Sequence, residues 1–220
     1  MRVRFISLLL LLLLSVNLRA ADYRAEPLDE AAPADEISSD IAATLARTGT
    51  RVIRGTKTTF CDIWLCKELA VQKDFKVTSE LLYPFTPGQL MGVARFARRG
   101  SDYRDQDIDS GVYTLRYAQQ PVDGSHVGTS LTRDFLLLLQ AEADESSDVL
   151  DYDSLAERSA EAAGSSHPAL LSMQRVGEKT KAPSMRHNDE HDWWIIGLDG
   201  KTDAEKELRI AFVVYGVAAE

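Results

Sequence analysis

The chain has 220 residues, with 25 basic and 34 acidic side chains and a net charge of −9 at pH 7. That length suits one domain of ordinary size with a sizeable core. The acidic balance repels nucleic-acid phosphates and, in the absence of a local basic patch, anionic lipid surfaces.

The N-terminus reads MRVRFISLLLLLLLSVNLRA. Arg2 and Arg4 precede an apolar run from Phe5 to Val16, and Leu18-Arg19-Ala20 offers a cleavage site before Ala21. This is the pattern of a secretory signal peptide over residues 1–20. The run falls short of the ~18 apolar residues expected of a spanning helix, which argues against an uncleaved anchor. No cysteine lies near the cleavage site, so a lipid anchor is not expected. The expectation is export to the periplasm or the medium, with no membrane span in the mature form. Removing the three arginines of the leader leaves 22 basic residues against 34 acidic ones, a net of −12.

Residues 21–49 read as an acidic flexible lead-in. ADYRAEPLDEAAPADE is rich in Ala, Pro and acid and poor in bulky apolar side chains. In SSDIAATLARTG, Ser39 is placed to cap a short helix, Ile41 and Leu45 share a face, and Gly49 stops it.

From residue 50 to 220 the texture is that of a single β domain. TFCDIWLC and QLMGVARFA are rich in β-favouring residues. In GVYTLRYAQ, Tyr113, Leu115 and Tyr117 alternate with Thr114 and Arg116. DFLLLLQ, with leucines on both faces, suits a buried strand or a buried helix equally. ALLSMQRV is a short strand candidate, while DWWIIGLDG and ELRIAFVVYGVA read as a closing pair joined through an Asp199-Gly200 turn and a charged loop. One helix interrupts them: in DYDSLAERSAEAAG, Ser154 and Glu157 form a capping box and Gly164 ends the helix. Short strands punctuated by turns predict an all-β fold, a β-sandwich of Ig-like or jelly-roll-like kind with one or two short helices. An α+β sheet with one covering helix is the alternative.

The succession GVYTLRYAQQPVDGSHVGTSLTRDFLLLL, HPALLSMQ, a Trp-bearing strand and a closing apolar strand resembles a family of uncharacterised exported bacterial proteins. The positions that carry the resemblance are Gly111 to Tyr117, Gln120, Pro121, Asp123, Gly124, His126 and Arg133 to Leu138. The resemblance implies export and a β-sandwich-like fold, and it implies no activity.

Cys61 and Cys66 both lie in TTFCDIWLCKEL. In an exported protein a disulfide is the first thought. Five residues of strand, however, separate their Cα atoms by roughly 16 Å and put the side chains on opposite faces, and a disulfide needs about 7 Å or less. Two unpaired thiols are therefore expected wherever the strand stays unbroken.

Two stretches are candidates for chemistry. Gln119 to Arg133 is a loop of about fifteen residues without periodicity, and loops that long are disproportionately functional. Gly124 and Gly128 permit positive-φ turns there, and Asp123, His126, Arg133 and Asp134 form a binding candidate; the favoured reading is a well-ordered connection in which Asp123 and His126 satisfy backbone groups and Arg133-Asp134 is an ion pair orienting a strand end. In MRHNDEHDWW, His187 and His191 stand among Asp189, Glu190 and Asp192, ligand types that hold Zn or Cu through neutral imidazole. The stretch is not H-E-x-x-H, so the glutamate base of a metalloprotease is lacking. With Pro183 upstream and a strand beginning at Trp193, the stretch reads first as a solvated charged loop, and a metal site of His126, His187 and His191 requires both loops at one end of the sandwich.

The remaining candidates are weaker. His167 precedes Pro168, which holds its backbone extended and makes it a loop end. Trp64, Trp193 and Trp194 suggest a sugar-stacking platform, although adjacent Trp193 and Trp194 point to opposite faces of a strand and core packing suits them better. There is no nucleophile elbow, P-loop or dinucleotide fingerprint. The sequence thus favours a non-enzymatic exported binding or structural module with no expected cofactor, whose partner is an envelope component or a small ligand. The alternatives are a Zn- or Cu-dependent protein, including a hydrolase, and a carbohydrate-binding module.

Overall fold

The computed structural model describes residues 22–123, 130–177 and 181–218. In chain order the elements are β1 (Tyr23–Leu28), α1 (Ser39–Thr44), β2 (Gly49–Arg54), β3 (Thr58–Leu65), β4 (Leu90–Phe96), β5 (Gly100–Ser101), β6 (Asp107–Ile108) and β7 (Gly111–Gln119). After these come β8 (Asp134–Gln140), α2 (Tyr152–Ala162), β9 (Leu170–Ser172), β10 (Ser184–Asn188), β11 (Trp193–Lys201) and β12 (Glu207–Tyr215).

The larger sheet has the order β1-β2-β3-β4-β7-β8-β9 and the smaller one β10-β11-β12, while β5 and β6 form a separate ribbon. Every strand pair is antiparallel. The two main sheets join where Met173 bridges to Phe212 and the Gln174 amide donates to the Ala211 carbonyl at 2.8 Å. On the far side β1 lies against β10. The sheets therefore curl face to face as a β-sandwich, as the strand pattern predicts.

Alternation along the strands builds the core. Ile63, Leu115, Tyr117, Leu136 and Leu138 of the larger sheet meet Ile196, Leu198, Ile210, Phe212 and Val214 of the smaller one in a single buried cluster. Leu137 and Leu139 point the other way and pack with Ala118 beneath Leu155 of α2. DFLLLLQ is thus a strand covered on both faces, by the facing sheet inside and by a helix outside. Each fully buried leucine contributes about 1.5–3 kcal/mol relative to exposure.

Several expectations are corrected. The lead-in is not a flexible tail: Tyr23 to Leu28 pair in register with Arg54 to Gly49. Tyr23 stacks on Tyr215 at 4.8 Å and meets Phe60 edge-on at 5.3 Å, so one aromatic anchors a segment whose average composition is polar. The cap of α1 is Ser38, whose hydroxyl accepts from the Ile41 amide. The cap of α2 is Asp151 and not Ser154, because a carboxylate three residues before Ser154 accepts from both its amide and its hydroxyl. Gly164 does end α2, at φ +57°. Asp199 and Gly200 continue β11, paired with Arg209 and Leu208, so the turn falls later, where the Thr202 amide donates to the Lys206 carbonyl. Ser184 to Asn188, expected as loop, form an edge strand.

Strand directions define two ends. At the upper end the chain leaves β3, β7 and β9 and enters β4, β8 and β10; at the lower end lies the β10–β11 turn. The described flanks of the β7–β8 loop, residues 120–123 and 130–133, and the 189–192 turn consequently lie at opposite ends of the strands, separated by roughly 20–25 Å of strand at ~3.3 Å per residue. His126, the third member of the expected histidine site, lies outside the described residues. Among the described residues no helix is long and apolar enough to cross a membrane.

Candidate binding surface at the upper end

Buried charges pin connecting segments at both ends of the sandwich. Arg116 and Asp144 are both fully buried and form a bidentate pair at 2.6 and 2.8 Å. The remaining guanidinium protons go to the carbonyls of Gly88, Asp148 and Ser146. All five N–H donors of the arginine are thereby used, and the 141–151 loop is held down on the outer face of the sheet. Gly88 sits at φ +87° with the Leu150 carbonyl occupying the place a Cβ would take, so only glycine fits this junction.

Asp134 is buried at the start of β8, where it accepts from the Tyr117 hydroxyl at 2.5 Å and the Leu82 amide at 2.7 Å. Burial pushes its pKa up, and the Tyr117 hydroxyl and the Leu82 and Tyr83 amides partly offset that. The expected Arg133–Asp134 ion pair is not what the fold uses. The Arg133 guanidinium donates twice to the Gln120 carbonyl, at 3.0 and 2.8 Å, because consecutive strand residues project to opposite faces. Asp102, also buried, accepts from the amides of Arg104, Gln106 and Leu170 and from the Gln106 side chain. These buried ionisable groups hold chain segments together, and the unpartnered buried side-chain atom among the described residues is the Tyr23 hydroxyl.

Of the three candidate histidines, His187 and His191 lie among the described residues, and they take separate partners. His187 holds Asp189 through Nδ1 and Asp192 through Nε2, both at 2.8 Å, and lies over Trp194. Asp192 foremost, with Asp189, raises its pKa. Two carboxylate partners favour the doubly protonated ring, whereas a metal needs a free nitrogen lone pair. His191 stacks instead on Trp193, at 4.3 Å, on the other face of β11. His126, with Gly124 and Gly128, lies outside the described residues. Asp123 is exposed at the margin of that loop. Among the described residues no group of three or more His, Cys, Asp or Glu side chains is arranged to hold a metal ion.

The tryptophans and thiols belong to the framework. Trp64 and Trp193 are buried, each donating its indole N–H to a carbonyl, and Trp194 packs partly buried against the core. Cys61 and Cys66 are free, as expected from an unbroken strand. Burial pushes the Cys66 thiol up to about 11 and the Cys61 thiol higher still, so neither is an activated nucleophile.

Open space occurs in two main places. A cleft of about 890 Å³ below α1 is lined by Asp35, Glu36, Asp40, Asp109, Glu142 and Glu145 among others. A second, of about 590 Å³, opens between the sheets at the upper end over Ile63, Leu65 and Leu198, with Arg47, Lys67 and Lys201 on its rim. Its volume is in the range of small-ligand sites.

Around that end three loops are tied together. The Arg133 amide donates to the Glu80 carbonyl at 2.8 Å, Thr132 Oγ1 to the Met173 carbonyl at 2.7 Å, and Arg175 reaches the carbonyls of Thr78 and Ser79 at 3.4 Å. The same loops expose Val77 (63%), Val122 (81%), Leu131 (59%) and Val176 (41%). Sequence reasoning missed these four. The available signal was an isolated aliphatic residue within each polar loop, a pattern too common at surfaces to stand out. No family model, curated protein or solved structure matches the chain.

Proposed function

We propose that the chain is an exported, non-enzymatic binding module of the bacterial envelope, a β-sandwich that presents its contact surface on the upper-end loops. The observation that carries this reading is the set of exposed aliphatic side chains on three loops that hydrogen bonds lock to one another and to a pinned framework. A rigid scaffold presenting loops is a common arrangement for recognition. The N-terminal basic-then-apolar pattern supports export. The ionisable groups described at Asp102, Asp134, Asp144 and Arg116 are engaged in structural bonds, which supports a role without catalysis.

Fractionation of cells expressing the full chain, with mass measurement of the product, tests the reading. The expected product begins at Ala21 and is found in the periplasm or the medium. An unprocessed chain in the cytosol overturns export. Stoichiometric Zn or Cu in the exported protein, lost on His126→Ala, overturns the metal-free binding reading in favour of a metal site.

A further inference from the structure

The smaller sheet is fastened unevenly along its two edges. β12 is tied to the larger sheet where Met173 bridges Phe212 and the Gln174 amide reaches Ala211. β10 pairs with β11 alone, and among the described residues no backbone hydrogen bond joins it to β1. The lower half of β10 therefore depends on the 189–192 turn, which two side chains hold in shape. Asn188 Oδ1 accepts from the Glu190 and His191 amides at 3.0 and 3.4 Å. The His187 ring spans the turn from Asp189 to Asp192, with 2.8 Å at each nitrogen. Asp192 is held in the left-handed region at φ +54°, an unfavourable conformation for a residue with a Cβ.

That bonding depends on how many protons the ring carries. An imidazolium donates through both nitrogens, whereas a neutral imidazole donates through one and presents a lone pair at the other. With a carboxylate at each nitrogen, losing a proton turns one hydrogen bond into a lone pair facing an anion. Neighbouring groups do not compensate. On β1, Arg24 is bonded to Glu26 and to the Gly55 and Thr56 carbonyls, and Tyr23 stacks on Tyr215 of β12 under Arg54. On β10 itself Arg186 donates to the Arg175 carbonyl. From β11 the ring meets Trp194 at 4.6 Å, while in the turn Glu190 is exposed and His191 lies on Trp193. Among the described residues His187 is the only cation bonded to Asp189 or Asp192.

From this we infer that His187, Asp189 and Asp192 form a proton-operated latch on the β10–β11 turn, closed while the ring carries two protons and open once it has lost one. Opening releases Asp192 from its left-handed conformation, lets the lower half of β10 fray from β11, and uncovers the face of Trp194 that the ring occupies. Asp192 foremost, with Asp189, raises the pKa of His187. The latch is therefore closed in mild acid and lets go as pH rises through the folded value. It lies at the end opposite the upper-end loops and does not rest on their role.

The experiment is amide hydrogen exchange of the purified protein at about pH 6 and about pH 8.5, read by NMR as protection factors for residues 186–194. Protection there is expected to fall about two- to fivefold at the higher pH, the ratio that an exposed ion-pair cluster supports. Asp192→Asn retains a residue type that tolerates the left-handed region and can bond either form of the ring, so its protection should be the same at both pH values. His187→Gln offers one side to donate and one to accept at every pH, and should show the lower protection at both. Equal protection of the wild type at the two pH values overturns the inference. So does a fall that persists in His187→Gln, which would belong to the whole fold and not to the turn.

Discussion

At the lower end of β8 a loop folds back over the sheet to lay Asp144 against Arg116, whereas at the upper end of the same strand Asp134 is buried with no guanidinium bonded to it. Both carboxylates are inaccessible to solvent. The first meets a full opposite charge together with the Thr114 hydroxyl. The second meets a phenol and backbone amides, and burial raises its pKa. A guanidinium neutralises a buried charge and, with five donors, also ties several carbonyls. A hydroxyl and amides solvate a buried carboxylate incompletely, and the remaining cost depends on pH.

The sharpest way to break this comparison is to remove Asp144. Asp144→Ala strands a buried guanidinium and should cost about 3–5 kcal/mol, read from urea unfolding. The double variant Arg116→Met with Asp144→Leu should not regain wild-type stability, because the Gly88, Ser146 and Asp148 carbonyls lose their donor. Full recovery would mean that those carbonyl bonds contribute nothing.

Tyr117→Phe should cost about 1–3 kcal/mol by leaving Asp134 a donor short. Asp134 has a folded pKa above its unfolded value. Its contribution is therefore fully present below about pH 3.9 and is lost as pH rises through the folded value. The cost of Tyr117→Phe should accordingly be small in acid and grow toward neutrality, and Asp134→Asn should abolish that growth. Stability curves against pH for the three proteins check both statements.

His187 adds an exposed counterpart at the opposite end, where its two carboxylate partners are open to solvent. Its raised folded pKa places its contribution below the unfolded value of about 6.5, to be lost as pH rises through the folded value. His187→Phe should lower stability by less than about 1 kcal/mol in mild acid and by nothing measurable at pH 8.5. An equal loss at both values would show that the ring acts by packing on Trp194 alone. Smallest of all, blocking the thiols should change nothing in the native state, since a thiol-disulfide reagent should reach Cys61 and Cys66 only after unfolding.

Legibility varied with how local each cause was. GVYTLRYAQ and ELRIAFVVYGVA were readable as strands because alternation or continuous apolarity reports burial directly. β1 was not, because its anchoring rests on Tyr23 meeting Tyr215, far away in sequence. The cap of α2 was misplaced by three residues because Asp151 and Ser154 are equally good capping types. Of the candidate site residues, Asp123, Arg133 and Asp134 do border the upper-end loops. Arg133 and Asp134 proved to be ties between segments and not a pair.

By itself the sequence determined the β character of the chain, its acidic charge and the separation of its two cysteines along one strand. These follow from periodicity, composition and fixed rise per residue, which need no knowledge of the partner strand. Only the tertiary structure decided that the flanks of the β7–β8 loop and the His187 turn lie at opposite ends, that a polar lead-in becomes an edge strand, and that hydrogen bonds tie together three loops each bearing an exposed aliphatic residue. Those outcomes depend on strand order and direction, which no local pattern encodes.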